Sequence, residues 1–210
     1  MRRRCKLTAE VNGIPNNTFF GSEPGGREAA PGPLALVQAF VNTVASEGKF
    51  HWEAIGDPDS LRSWFARRGL LAEAAPVGEA DVARAREVRE ALRALLATNN
   101  GRGVPAGAVA TLNAAAERAG LEVRFGEDGP MTPVPTKGGI DGAIGRVLAA
   151  VHSAMEEGTW GRLKACRNEG CGWAFYDRSR NRSGAWCSME VCGNRSKTRA
   201  YRQRKGTWEA

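Results

Sequence analysis

Four cysteines, Cys166, Cys171, Cys187 and Cys192, form the pattern C-x4-C-x15-C-x4-C. Two close pairs separated by a short stretch suit a tetrahedral zinc site. Each pair lies on one tight knuckle, so two thiolates from each reach the same ion. The stretch between them is long enough for a hairpin that brings the knuckles together. Two disulfides or four unrelated thiols are the competing readings. One further cysteine, Cys5, stands outside the cluster and reads as a free surface thiol. A zinc held by four thiolates has every coordination position filled, so the expected cofactor is one structural Zn2+ and not a catalytic one. No other grouping suggests catalysis. The chain has two histidines, His51 and His152, far apart in sequence. No carboxylate pair, Ser-His pair or Cys-His pair accompanies them, and the chain reads as a protein that is not an enzyme.

The elements that must position the cysteines are short. Residues 171–177 alternate large and small side chains, as a short strand does. Residues 178–184 are polar and turn-prone, and Ala185-Trp186-Cys187 returns to the metal. Trp173, Phe175 and Trp186 would cover a site too small for an ordinary core. Residues 193–205 contain no proline and several good helix formers. They read as a helix that starts at the last ligand and ends at Gly206. A knuckle, a hairpin and a helix supplying the last ligand make a treble-clef-like finger.

Charge is unevenly shared. The net charge is +7, yet residues 158–210 hold 12 Lys and Arg against 4 Asp and Glu, and the rest of the chain holds 18 against 19. The basicity therefore belongs to the finger and points to a polyanionic partner. At about 100° per residue, Arg195, Arg199 and Arg202 share one face of the last helix. Asn194, Thr198, Tyr201 and Lys205 fill the adjacent face. The candidate nucleic-acid contacts are Asn194, Arg195, Lys197, Arg199, Arg202, Arg204 and Lys205, with Arg180 and Arg182 in the preceding loop. Backbone N–H groups near Cys192 would face a phosphate. Duplex DNA is the expected partner. RNA is the alternative, because basic residues interleave with Trp173, Phe175, Tyr176 and Tyr201, and a protein partner is the third reading.

Residues 163–205 resemble the CGNR zinc finger, named for the run that stands here as Cys192-Gly193-Asn194-Arg195. Phe175-Tyr176-Asp177, Ser179-Arg180-Asn181 and Trp186-Cys187-Ser188-Met189 are also similar to that family. In it the finger follows a helical domain called ABATE. Phe40-Val41-Asn42-Thr43, then Leu61 and Trp64 before Gly69-Leu70, look like that domain. The resemblance implies a stress-related transcription regulator that binds nucleic acid. It also implies that Asn42 and Thr43 could line a pocket. The residues by themselves favour a local role for both, satisfying nearby backbone or pairing with another helix.

The chain of 210 residues, 42% apolar, can bury one good core and carry a small second module. The expected architecture is mainly α with a small β-hairpin, in three parts. Residues 1–33 are an irregular lead-in, 34–157 a helical domain and 158–210 the finger. Arg2-Arg3-Arg4 is followed by no apolar run of a secretion signal, and no stretch suits a membrane span. A reducing cytoplasm is the expected location.

Within the helical domain, Val37, Phe40, Val41 and Val44 fall on one helical face over 34–47. Asp57-Pro58 starts a second helix that carries Leu61, Trp64 and Phe65. Residues 80–97 form the longest helix, with the stripe Ala85, Val88, Leu92, Leu95 and Leu96. On it Arg84, Arg86, Arg89 and Arg93 alternate with Glu87 and Glu90, as on a solvated face of mixed sign. A further helix runs from near Pro105 to Gly120. Leu121, Val123 and Phe125, a glycine-rich turn, then Met131 and Val134 read as a hairpin that packs on the helices. After a Gly138-Gly139 hinge, Ile140, Ile144, Val147, Leu148, Val151 and Met155 mark the last helix of the domain. Trp160 and Leu163 staple the finger to it. The domain would supply either a pocket for a small-molecule effector or a homodimer surface.

Overall fold

A computed structural model describes residues 27–47, 50–125, 131–168 and 170–206. Among the described residues there are six α-helices and three two-stranded antiparallel hairpins. Helix α1 (Leu34–Val41) buries Leu34, Val37, Phe40 and Val41. It stops there, short of the helical pattern read from Val37. Asn42 and Thr43 form a turn, and Val44 opens β1 (Val44–Glu47), which pairs with β2 (Phe50–Glu53) with Ala45 opposite Trp52. The expected helix over 34–47 is therefore a short helix and half a hairpin. Tertiary partners override the apolar spacing: Asn42 turns its side chain to a distant strand and Ala54 N–H returns to the Thr43 carbonyl.

Helix α2 (Pro58–Ala66) starts as its sequence demands. Asp57 accepts a hydrogen bond from Ser60 N–H at 2.9 Å, and Asp57 N–H donates to the Ser60 hydroxyl at 3.1 Å. Its Trp64 and Phe65 stack with Phe40 of α1, ring centroids 5.0–5.9 Å apart. Helix α3 (Glu79–Thr98) buries Val82, Ala85, Val88, Leu92 and Leu96. Helix α4 (Ala106–Ala119) ends at the left-handed Gly120 and leads into β3 (Leu121–Phe125) and β4 (Met131–Pro135). This hairpin packs on the helices at its base. Val123, Phe125 and Met131 stay exposed, because the strands run on past the helical layer. Helix α5 (Gly139–Glu156) buries Ile140, Ile144, Val147 and Val151 and lies across α1, α4 and β4. Among the described residues no helix is long and apolar enough to cross a membrane.

A 3-10 turn at Trp160–Arg162 joins α5 to β5 (Leu163–Ala165), which pairs with β6 (Ala174–Tyr176). Leu163, Ala165, Ala174 and Tyr176 share one core with α1, α2, α3 and α5. The strands of the finger are thus part of the helical core. Helix α6 (Asn194–Gly206) follows a π-helical turn at Met189–Gly193.

Candidate metal centre and nucleic-acid interface

The first knuckle lies inside the β5–β6 hairpin. Cys166 follows β5 and Cys171 precedes β6, with Cys166 N–H donating to the Trp173 carbonyl at 2.9 Å. Asn168 closes the turn, its carbonyl accepting from the N–H groups of Cys171 and Gly172. The expected hairpin between the two cysteine pairs is absent from the described residues. β6 pairs instead with the strand ahead of Cys166, and Arg167 N–H to the Ala185 carbonyl at 3.0 Å ties the return stretch to the first knuckle.

The second knuckle is Cys187 and the π-helical turn that carries Cys192. Ser188 caps this turn by accepting from Val191 N–H. Helical structure therefore begins at Met189, ahead of the last cysteine. Cys192 and Gly193 N–H both donate to the Ser188 carbonyl, and Asn194 N–H is bonded within the turn. The expected free N–H groups near Cys192 are accordingly already satisfied, because the tight turn closes on itself.

The sulfurs of Cys166, Cys171, Cys187 and Cys192 all lie within 4.8 Å of one another, three of the four residues being buried. Cys187 is 3.6 Å from both Cys171 and Cys192. All four cysteines are free thiols, which sets aside the disulfide reading. The thiols pull apart in acidity. Hydrogen bonds from Cys166, Cys171 and Cys187 hold Cys192 well below the usual thiol range. Hydrogen bonds to Cys166, Cys171 and Cys192 push Cys187 well above it, and burial adds to the rise. Four sulfurs this close can all ionise only with a divalent cation among them. An all-sulfur set at this separation is the donor set that zinc prefers.

The cover over the cluster is wider than the finger. Trp173 and Phe175 pack on the cysteines with Trp186 and Val191, and so do Ala45 and Trp52 of the β1–β2 hairpin. Arg27 lies 4.9 Å above the Phe175 ring and donates to the Trp186 carbonyl.

Several functional groups come from elements that the sequence did not connect with the metal. Asn42 Nδ2 donates to the Ala174 carbonyl at 2.9 Å, and Ala174 N–H donates to Asn42 Oδ1 at 2.8 Å. The side chain behaves as one residue of an extra strand on the edge of β6. Thr43 accepts from Arg89 Nη1 at 3.2 Å. Both residues therefore engage protein groups, the local role that the residues by themselves favour. Arg89 itself is 4% exposed and paired with Glu53 at 2.7 Å. Arg93 donates to the carbonyls of Gly172 and Val41 and to Glu90. Burial pulls its guanidinium below the usual range, opposed by the Glu90 carboxylate and the Cys171 sulfur. The expected solvated face of α3 is thus half a binding face, because the finger and the end of α1 each present a carbonyl to it and the β1–β2 hairpin a carboxylate. The signal available in sequence was weak: two arginines, each one position from the apolar stripe.

Asp177 and Lys164 form a second buried group, joined at 2.8 Å. Asp177 also accepts from Ser179 and Gly184 N–H, and Lys164 also donates to the Arg182 and Gly184 carbonyls. A Cβ at Gly184 would sit 2.8 Å from the Asp177 carboxyl carbon, so only glycine fits. Burial raises the Asp177 pKa, yet the Lys164 and Ser179 hydrogen bonds win and hold the carboxyl well below its ordinary range. The polar loop is therefore anchored from inside.

The candidate contacts to nucleic acid divide clearly. Asn194, Arg195, Lys197 and Arg199 are exposed on α6, and Arg180 and Arg182 are exposed on the loop. Arg202, Arg204 and Lys205 lie on the same helix, and their side chains fall outside the described residues. Asn194 Nδ2 donates to the Glu190 carbonyl at 3.1 Å, so it also braces the turn. Trp173, Phe175 and Tyr176 are 4%, 1% and 7% exposed, and only Tyr201 of the four aromatics proposed for base stacking faces solvent.

Comparison with known families places these features. Residues 34–156 match the ABATE family model, described as "Putative stress-induced transcription regulator", and residues 162–205 match the CGNR zinc finger model. No curated protein matches the chain. A finger of this family with four cysteines within metal-binding distance supports one structural Zn2+. The first match spans more than half of the chain, which therefore belongs to the ABATE family of regulators and carries a CGNR zinc finger after that domain.

Proposed function

We propose that the protein is a transcription regulator that docks on duplex DNA through α6, with Cys166, Cys171, Cys187 and Cys192 as the zinc ligands. The observation that carries the reading is a basic helix rooted at the metal site, with Asn194, Arg195, Lys197, Thr198, Arg199 and Tyr201 all turned to solvent. From Val191 to Gly206 the sequence has no acidic residue. Such a helix has little apolar surface to bury in its own protein and suits the wide major groove. Arginines and Lys197 would meet phosphates, with Arg180 and Arg182 reaching the backbone beside them. The burial of Trp173, Phe175 and Tyr176 removes three of the aromatic surfaces that a single-strand RNA reading needs. Thiolate ligation suits a reducing compartment such as the cytoplasm.

The test is Arg199→Ala with Arg202→Ala, after zinc content and fold are verified. Affinity should fall across all duplex sequences, and the log–log salt slope should flatten by about 0.9 for each phosphate no longer neutralised. Unchanged affinity and slope would remove α6 as the docking element. Stronger binding to structured RNA than to duplex DNA at one salt concentration would favour the RNA alternative.

The helical body orients the finger in this scheme. Val123, Phe125 and Met131, exposed on β3–β4, are the place we assign to self-association, since paired half-sites are commonly read by dimers. Sedimentation of Phe125→Glu against the parent chain tests it: a monomeric parent would end the assignment.

A further inference from the structure

The two knuckles are held by side chains that belong to the helical body. On one side, Arg93 of α3 bridges the Gly172 carbonyl, next to Cys171, and the Val41 carbonyl at the end of α1. The fit is close. Gly172 has φ +58°, and a Cβ there would lie 3.3 Å from Arg93 Cδ. On the other side, Asn100 at the end of α3 donates through one Nδ2 to the Ala165 carbonyl at 2.9 Å and the Ala185 carbonyl at 3.0 Å. Ala165 precedes Cys166, and Ala185 stands two residues before Cys187. A single buried amide therefore spans β5 and the return stretch, the segments leading into the two knuckles. The Asn100 carbonyl accepts from Arg167 Nε at 2.9 Å, closing the loop. Asn42 pairs both ways with Ala174 on β6, three residues beyond Cys171.

We propose that these three residues are positioning residues for the metal: Asn100 fixes the separation of the two knuckles, Arg93 and Asn42 fix the first knuckle against the helical body, and together they set how tightly the four cysteines hold zinc. The inference rests on the zinc reading above. Outer partners that orient metal ligands are commonly worth 10–100-fold in affinity, on the order of the effect expected here. Here the partners lie on α3 and just past the ends of α1 and α3, far from the finger in sequence. Coupling of this kind is reciprocal, so metal removal should also loosen the helix ends that grip the knuckles.

The experiment uses the full chain. Metal analysis first asks for one zinc per chain; its failure sinks the zinc reading, whatever the variants do. Zinc transfer to a chromogenic chelator is then followed for Arg93→Ala, Asn100→Ala and Asn42→Ala. Leu112→Ala on α4 serves as a control that loosens the core away from the knuckles. Roughly 10–100-fold faster release is expected for the three variants, with release near the parent rate for the control at a similar loss of Tm. Cobalt-substituted Arg93→Ala should show a shifted ligand-field band. Arg93→Lys keeps the charge but not the fork that reaches two carbonyls. It is read in place of Arg93→Ala if that chain does not fold. Parent-like release in the folded variants, or equal acceleration by Leu112→Ala, would overturn the proposal. Hydrogen exchange on the parent chain adds a check that needs no variant. Chelation should speed exchange in α3 near residues 93–100 well before α4, and uniform exchange would count against the idea.

Discussion

Helices α3 and α6 are both rich in arginine, and they use it in opposite ways. On α3, Arg89 and Arg93 point into the protein and meet Glu53, Thr43 and the carbonyls of Val41 and Gly172. On α6, Arg195 and Arg199 point out. The difference lies in what packs beside each helix. Around α3 are a hairpin carrying a carboxylate, a knuckle offering the Gly172 carbonyl and the end of α1 offering that of Val41. Beside α6 there is chiefly the small π-helical turn. A guanidinium is buried where a neighbour offers it acceptors in the geometry of its fork. The finger is consequently integrated with the helical body at one end and open to solvent at the other.

The largest expected effect tests that integration. Cys187→Ser should abolish stoichiometric zinc. Structural zinc contributes on the order of 10 kcal/mol to folding in finger peptides. From sequence, the expectation is that the finger unfolds and the helical domain is spared. The shared core and the Arg93 and Asn100 contacts predict wider damage. Exchange protection in α1 and at the end of α3 should fall with that of β5 and β6. Full protection of α1 and α3 in the variant would mean that the two parts are independent.

Next comes the inward arginine. Arg89→Ala leaves Glu53, 16% exposed in its side chain, without its closest cation. Breaking a buried pair in this way costs about 3–5 kcal/mol, read as a lowered urea midpoint. Arg89→Ala together with Glu53→Gln should recover much of the loss. Failure of the double variant to recover any would show that packing of the Arg89 stem matters more than its charge.

The Asp177–Lys164 pair gives a pH signature. The Asp177 pKa is held below its ordinary value in the fold. Its stabilising effect is therefore present above the unfolded value, about 4, and is lost as pH falls from there toward the folded value. Asp177→Asn should cost about 2 kcal/mol at neutral pH, from hydrogen bonds to a charged group. It should also flatten the loss of stability below about pH 4. An unchanged acid limb would assign that limb to other carboxylates held below their ordinary range, Asp57 and Glu90 among them.

The smallest effect sharpens the contrast. Arg199→Ala on α6 should change the unfolding free energy, read by urea titration, by no more than about 0.5 kcal/mol, as for other exposed substitutions. A loss as large as that of Arg89→Ala would show that α6 packs against protein after all.

Much of the local structure was legible in the chain. Asp57-Pro58 set the start of α2, Gly120 and Gly158 set helix ends with positive φ, and the stripe from Ala85 to Leu96 set the buried face of α3. The cysteine spacing marked the metal site itself, since ligand pairs must sit on tight turns whatever surrounds them. Three features were not legible. Val44 continued the helical spacing yet lies in a strand, because Asn42 is held by β6. Val123 and Phe125 alternated like a buried strand yet run past the helices. The hairpin that holds Cys166 and Cys171 uses the strand ahead of them.

The sequence by itself determined the four thiols, the basic last helix and the caps, because ligand geometry, charge and capping act over a few residues. The tertiary structure alone decided which polar side chains became structural. Asn42, Asn100 and Arg93 are soluble-looking residues at helix ends and edges. Their role follows from carbonyls on a segment distant in sequence, which no local pattern encodes. A buried carbonyl without a partner costs free energy, so the fold brings to each one a donor from wherever the chain passes.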